Sequence, residues 1–250
     1  MKKLESIKNK LYPIITLVVC IILWQVIVEV KKVPAYIVPS PIEIVKTLVS
    51  DFNVIIENTK VTIYESIVGF IISIFLSFVL AVLMDSFEIV KKSIYPILII
   101  SQTIPTIAIA PLFIIWFGFG TMPKIIVVII TCFFPIVISI MDGFEKVDKD
   151  YINLFKTMKA SKFQTFYHLK LPYAMVNLFS GIKIAATYMI MASVIGEWLG
   201  GDSGIGVYMV RAKSAYALDK VFAAILVIVV VSILIIYIIE FIGKKLIHWK

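Results

Sequence analysis

SQTIPTIAIAPLFIIWFGFG (Ser101–Gly120) and, two residues on, PKIIVVIITCFFPIVISIMDGFEKVD (Pro123–Asp148) are long apolar runs interrupted by proline. With Pro96 just upstream, Pro105, Pro111, Pro123 and Pro135 fall in a stretch otherwise apolar enough to cross a bilayer. Each proline removes a backbone donor and can kink a helix. Hydrocarbon tolerates this only where neighbouring protein or a water-filled cavity satisfies the freed groups. These runs are therefore expected to line the interior of a helix bundle. Two roles stay open for them: discontinuous helices beside a transport path, or kinks that serve packing alone. Gln102 and Thr103, next to Pro105, offer polar groups either to a small polar solute or to an interhelical hydrogen bond.

The remainder of the chain fits a membrane setting. Of 250 residues 61% are hydrophobic and only 16% charged, with a mean hydropathy of +1.03. A soluble domain carries about 25% charge, so the apolar excess has to face lipid. Six stretches reach the roughly 17–25 residues that a hydrocarbon core requires: Leu11–Val30, Val61–Met84, Ile94–Phe117, Lys124–Met141, Ala174–Trp198 and Val221–Ile242. The N-terminal run is longer than a signal-peptide core and no A-x-A-like site follows it, so it reads as an uncleaved first span. With the N-terminus inside, fifteen lysines (Lys2, Lys3, Lys8, Lys10, Lys91, Lys92, Lys146, Lys149, Lys156, Lys159, Lys162, Lys170, Lys244, Lys245, Lys250) face the cytoplasm. Eight basic residues (Lys31, Lys32, Lys46, Lys60, Lys124, Arg211, Lys213, Lys220) lie outside, and Lys183 lies within a span. That bias predicts cytoplasmic termini, and it accounts for the net charge of +8 without a nucleic-acid partner. The expected organisation is a cytoplasmic N-terminus (1–10), a first span with an external amphipathic helix (11–60), a core of five further spans (61–242) containing a cytoplasmic segment (142–173), and a cytoplasmic C-terminus (243–250).

Two connections are patterned. VPSPIEIVKTLVSDF (Val38–Phe52) offers Ser40 as a cap, Pro41 at the first helical position and Glu43 to close a capping box; Val45, Leu48, Val49 and Phe52 form one apolar face, for packing or partner docking. DGFEKVDKDYINLFKTMKASKFQTFYHLKLPYAM (Asp142–Met175) is too polar to span. Tyr151, Leu154, Phe155 and Met158 recur at helical spacing behind Asp148 and Asp150, and Ser161 with Gln164 starts a second helix that presents Phe163, Phe166 and Tyr167 and stops before Pro172. Helix, turn, helix, then a span: on physical grounds this is equally a docking surface or a pair of membrane-surface helices.

The second of these segments resembles the cytoplasmic loop of permeases in binding-protein-dependent ABC importers, roughly E-A-A, three residues, Gly, about eleven residues, Leu-Pro. Asn153-Leu154-Phe155 stands at the E-A-A position, Lys159 at the glycine, Ala160-Ser161 follow, and Leu171-Pro172 closes the pattern. Glutamate, the small pair and the glycine are all replaced. A turn with positive φ at Lys159 would cost about 1 kcal/mol relative to glycine. Ser101–Gly120, Pro123–Asp148 and VIGEWLGGDSGIGVYM (Val194–Met209) are similar to spans of the subfamily serving nitrate, taurine, alkanesulfonate and thiamine-pyrimidine-precursor uptake, and FSGIKIAATY (Phe179–Tyr188) and GEWLGG lean toward the pyrimidine branch. The resemblance implies the type I importer permease fold: all-α, six transmembrane helices and a cytoplasmic helix-turn-helix coupling loop. It further implies a homodimer in a bacterial cell membrane, an ATP-binding-cassette ATPase docked on the loop, and an external substrate-binding protein, a lipoprotein, that delivers a small polar solute.

The remaining candidate residues are weighed on chemistry. Lys183 lies roughly 16 Å beyond Pro172 along a helix. It must therefore face the interior, where an anion could meet it, or snorkel toward the cytoplasm. Glu197, roughly 21 Å further on, can shape an outer gate or meet the binding protein; that distance makes a salt bridge to Lys183 unlikely on rise alone. Pro105 and Pro111 join Gln102, Thr103, Lys183 and Glu197 as pathway or gate residues. GFG (118–120) and GGDSGIG (200–206) are read as external turns and not phosphate loops; lacking a Walker motif, the chain relies on a partner for ATP hydrolysis. No cofactor is expected. Cys20, Cys132, His168 and His248 have no metal-ligand spacing and are assigned packing or solvated roles. A channel or secondary transporter working without ATP is the rival, opposed by the lack of an inverted repeat and of paired intramembrane carboxylates. A membrane-embedded enzyme lacks any HExxH, Asp-pair or Ser/His set.

Overall fold

The computed structural model describes residues 2–246, with side chains from residue 11 onward; His248, Lys250 and the side chains of the first ten residues lie outside the described part. The described backbone is helical throughout: α1 Lys2–Val30, α2 Pro41–Ser50, α3 Phe52–Ser86, α4 Glu88–Ser101, α5 Thr106–Phe117, α6 Thr121–Glu145, α7 Lys149–Thr157, α8 Lys162–Thr165, α9 Leu171–Gly200, α10 Ile205–Ser214 and α11 Leu218–Leu246. A π-turn, Phe166–Lys170, joins α8 to α9. Five stretches are long and apolar enough to cross a membrane, and α4 with α5 form a sixth, broken one.

That break falls within the expected third span. Of the two roles left open for its prolines, discontinuous helices or kinks, Ile94–Phe117 shows the first: two helices bent by 103° between Ser101 and Thr106. Of the five prolines, only Pro105 sits at a break. Pro96, Pro111 and Pro135 lie inside continuous helices and Pro123 falls in the first turn of α6. The difference is local chemistry. A proline disfavours helical geometry in the residue before it, and at Ile104 the neighbouring polar groups supply an alternative. Thr103 N–H donates to Ile100 O at 3.0 Å and Thr103 Oγ1 to the same carbonyl at 2.7 Å, while Ile104 N–H donates to Ser101 O at 3.1 Å. Pro111 and Pro135 are flanked by apolar residues with nothing comparable to offer, and Pro123 sits in the first turn of α6, where a helix has no partner for its N–H in any case.

The chain divides into two compact units. In the larger, Thr59–Val207 with Ile228–Lys250, α6 and α9 run antiparallel at glycine-limited distance. A Cβ on Gly143 would meet Ala174 Cα at 2.8 Å, one on Gly181 would meet Ser139 Cβ at 2.7 Å, and one on Gly196 would meet Lys124 Cα at 3.1 Å. α3 joins them through a stripe of small residues. Gly69 abuts Val128, Ser77 Oγ donates to Phe133 O at 3.0 Å, and Ser66, Ser73 and Ala81 are buried. Small residues let backbones approach where lipid supplies no hydrophobic drive.

In the smaller unit, Met1–Asn58 with Tyr208–Val227, the capping box forms as expected. Glu43 N–H donates to Ser40 Oγ at 3.3 Å and Ser40 N–H to Glu43 Oε2 at 2.8 Å. Its apolar face is corrected: Val45, Val49 and Phe52 are exposed while Ile44 is buried, because the helix ends at Ser50 and Phe52 opens α3. Asp51, at that junction, accepts from Lys220 Nζ at 2.7 Å and Tyr208 Oη at 3.0 Å. The Lys220 ammonium, foremost among its partners, holds the Asp51 carboxyl below its ordinary value against the opposing effect of burial. Trp24 packs its ring 5.7 Å from Phe222.

Candidate functional site

The segment after α6 is built by local rules. Asp148 caps α7, accepting from Asp150 N–H at 2.9 Å. α7 ends on Lys159 at φ +55°, with Lys159 N–H donating to Lys156 O at 2.9 Å and Ala160 N–H to Phe155 O at 3.0 Å. These two bonds are the Schellman pattern, for which glycine is the usual residue. Lysine thus takes the glycine geometry and bears its strain. Ser161 then opens α8 through the expected capping box, with Gln164 N–H donating to Ser161 Oγ at 3.2 Å and Ser161 N–H to Gln164 Oε1 at 2.8 Å.

The second helix does not stop before Pro172, and here the structure overturns the expectation. The chain widens into the π-turn, where Leu171 N–H reaches Phe166 O, and continues unbroken as α9 with Pro172 in its first turn. In an α-helix the Pro172 ring would collide with the carbonyl of His168, four residues back; the wider turn removes that carbonyl from the ring's path. Phe166 is tied to the end of α6 by ring contact with Phe144 at 5.7 Å. No residue of α7 or α8 is buried. Tyr151, Leu154, Met158, Phe163 and Tyr167 are all more than half exposed, Phe155 and Ala160 are half-buried, and Asn153, Lys159 and Ser161 are exposed. His168 is exposed, its ring edge 5.1 Å from Tyr167.

At the break between α4 and α5 the structure places Gln102, Thr103 and Pro105 together, all exposed. A hollow of about 370 Å³ opens there, lined by Gln102, Ile104, Thr106, Thr131, Phe134, Pro135 and Tyr188 but not by Thr103 or Pro105. Thr131 Oγ1 donates to Val127 O at 2.8 Å and lies 3.5 Å from Thr106 Oγ1. Pro111, inside α5, is exposed and outside this lining. The neighbouring face of α9 (Lys183, Ile184, Thr187, Tyr188, Met191) is exposed. Thr106, Thr131 and Tyr188 carry no sequence signal beyond polarity within a span, and sequence reasoning passed over them.

Lys183 is half exposed and paired, its Nζ 2.8 Å from Glu240 Oε1 on α11. Glu197 is buried, 2% exposed, in a cluster that spacing does not announce. Thr62 Oγ1 donates to Glu197 Oε1 at 2.6 Å and accepts from Ile205 N–H at 2.9 Å, while Gly206 N–H donates to Glu197 Oε2 at 2.6 Å. Alongside, Lys124 pairs with Glu65, Ser193 Oγ donates to Glu65 Oε2 at 3.2 Å, and Lys124 Nζ donates to Ser203 O at 3.3 Å. Two buried carboxylates thus share one neighbourhood, where the sequence reading found no such pair. The signal was present: Glu65 falls inside the second span and Lys124 at the start of the fourth. The cluster grips residues 201–206, and Gly204, at φ +117°, has no room for a Cβ against the Glu197 carboxylate. The expected turn at 200–206 is accordingly shorter, since α10 begins at Ile205. The turn at 118–120 stands, with Gly118 and Gly120 both at positive φ.

Residues 62–248 match the model of the "Binding-protein-dependent transport system inner membrane component" family. The chain belongs to that family. The permease is 32% identical over 241 residues to the "Formylaminopyrimidine transport permease protein ThiX" of Halalkalibacterium halodurans, covering 96% of each chain. It is 28% identical over 234 residues to the "Putative aliphatic sulfonates transport permease protein SsuC" of Bacillus subtilis, covering 93% of this chain and 85% of that one. Among solved structures, an "amino acid ABC transporter with histidines" superposes with a TM-score of 0.68 at 12% identity over 80% of this chain and 97% of the other, which speaks to fold alone. The permease is thus a non-catalytic, multi-pass inner-membrane subunit of a binding-protein-dependent ABC importer, a class that works with an ATPase and a binding protein.

Proposed function

We propose that two copies of the permease enclose the solute path, that both termini and residues 142–173 face the cytoplasm, and that the ATPase docks on Asn153, Leu154, Phe155, Lys159, Ala160, Ser161, Leu171 and Pro172. The observation that carries this reading is the tight junction of α7 with the unbroken run of α8, π-turn and α9: an exposed, partly apolar helix is fixed by two caps across a four-residue turn to a helix whose exposed face carries Lys183, Thr187 and Tyr188. A rigid connection of this kind supports transmission of ATPase closure to the path. The polar face at Thr187 and Tyr188, unsuited to lipid, favours coverage by a second copy.

In the working cycle the ATPase dimer closes on ATP, the docked segment moves with it, and the bundle turns outward to receive solute from an external, lipid-anchored binding protein. Gln102, Thr103, Pro105, Pro111 and Lys183 belong to the path, and Glu197 acts on its gate by holding residues 201–206. The names of the relatives support a small polar solute, either a pyrimidine precursor or a nitrate-, sulfonate- or taurine-like anion.

Reconstitution with the cognate ATPase and binding protein tests the reading. Uptake should require ATP and all three components, and uptake at full rate by the lone subunit would refute it in favour of an ATP-independent carrier. Phe155→Asp or Ala160→Asp should abolish ATPase co-purification while membrane insertion persists.

A further inference from the structure

Resting on the importer reading, the hollow at the broken span narrows the solute further. We infer that it is a subsite for an uncharged, planar, hydrogen-bonding heterocycle and not for an anion. The lining supplies one carboxamide (Gln102), two aliphatic hydroxyls (Thr106, Thr131), one phenol (Tyr188) and the flat faces of Phe134 and Pro135. It supplies no charge, and neither do the elements that form it. Ser93 to Pro123 and Ile125 to Met141 contain no charged side chain, and Lys183 is the sole one on α9 from Leu171 to Gly196. Lys183 already has its counter-ion in Glu240 and opens onto a different hollow, with Ser180 and Lys244. Lys124, Glu65 and Glu197 are buried in their own cluster and turned away from the path.

A sulfonate or nitrate entering this lining would shed water and meet no positive group, which is the unfavourable case for a buried ion. An amino- or oxo-substituted ring presents donors and acceptors in one plane. The Gln102 carboxamide and the Thr106 and Tyr188 hydroxyls can each donate and accept, while Thr131, whose hydrogen goes to Val127 O, offers an acceptor, and aromatic faces cover the ring. The volume, about 370 Å³, suits a single small ring.

Saturation-transfer NMR on the permease–ATPase complex in nanodiscs, with cytosine as the neutral probe and methanesulfonate as the anionic one, tests this. Cytosine should receive saturation and methanesulfonate none. Gln102→Leu and Tyr188→Leu should each weaken cytosine binding at least about threefold, the loss of one hydrogen bond, with ATPase co-purification retained to show that each variant is folded. Thr131→Arg should create a methanesulfonate signal. A native complex that binds methanesulfonate as well as cytosine, or cytosine binding unchanged in both leucine variants, would overturn the assignment. ATP-dependent uptake by the complete importer is scored separately. An ATP-requiring importer of an anion would sink this inference alone, whereas ATP-independent uptake would sink the importer reading.

Discussion

At its Leu171 end, α9 receives a segment whose apolar side chains point outward, with Met158 71% and Phe163 73% exposed; near its Gly200 end the same helix carries Glu197 into a cluster where Glu65 and Lys124 are at most 3% exposed. In the first region the caps of α7 and α8 join residues two to five apart, with Phe166 on Phe144 and Lys170 Nζ 2.7 Å from Asp85 Oδ1 as its ties to α6 and α3; the second is held by bonds spanning up to 143 residues. An apolar surface left uncovered and a charged cluster fully covered are the reverse of ordinary burial. On the proposed reading each has a use: the first is the ATPase docking surface, and the second holds residues 201–206 at the gate. The contrast teaches that α7 and α8 are shaped by local caps and so tolerant of stability changes, whereas the buried end is determined by the tertiary fold and sensitive to any one member.

Lys124→Ala should produce the largest stability effect, about 3–5 kcal/mol, because it strands Glu65 without a counter-charge in a closed site. Thermal unfolding in detergent followed by tryptophan fluorescence would register the loss. Pairing it with Glu65→Leu should recover most of the stability, and failure of the double variant to recover would show that the ion pair serves something other than charge balance. Gly204→Ala should cost about 1–3 kcal/mol through its positive φ and the Glu197 carboxylate in its path. Protease nicking between Gly200 and Ile205 is the measurement, and unchanged resistance would mean that the cluster does not clamp that turn.

At the opposite end, Lys159→Gly should relieve about 1 kcal/mol of left-handed strain, seen as slower amide exchange at Ala160, with ATPase association intact. Slower exchange accompanied by lost association would make the lysine itself part of the docking surface. The smallest effect belongs to the Asp51 carboxyl. Its lowered value means that its contribution is present above the ordinary value of 3.8 and is lost as pH falls through the lower folded-state value. Asp51→Asn should therefore flatten the acid limb of the melting-temperature profile and leave neutral pH nearly unchanged.

Legibility in the sequence follows the same division. Capping boxes at Ser40 and Ser161 and the apolar face of α7 were readable because each depends on neighbours within about one helical turn; the turn at Lys159 was placed by resemblance alone, and its left-handed geometry came from the structure. Spans were readable because hydrocarbon thickness imposes a length. The cluster was not, since nothing in the spacing of Thr62, Glu65, Lys124, Glu197 and Gly206 brings them together before the helices pack. Prolines were over-interpreted for a related reason. Residue type and polar neighbours do not separate the five, since Thr121 and Lys124 flank Pro123 too; what marks Pro105 is the set of bonds from Thr103 and Ile104 back to Ile100 and Ser101, visible only in the structure. Pro172 was misjudged in the other direction, as a stop where the structure has a widened turn.

That widened turn sets a phase. An α-helix advances about 100° per residue, so accommodating one residue more in Phe166–Lys170 rotates everything before it about the axis of α9 by a corresponding angle. The direction in which Phe163 and α7 face is thereby fixed by a single residue of chain length. Deleting one position from the turn would leave composition, burial and caps nearly untouched, yet, on the proposed reading, aim α7 away from the ATPase, as a key cut correctly but turned in the lock.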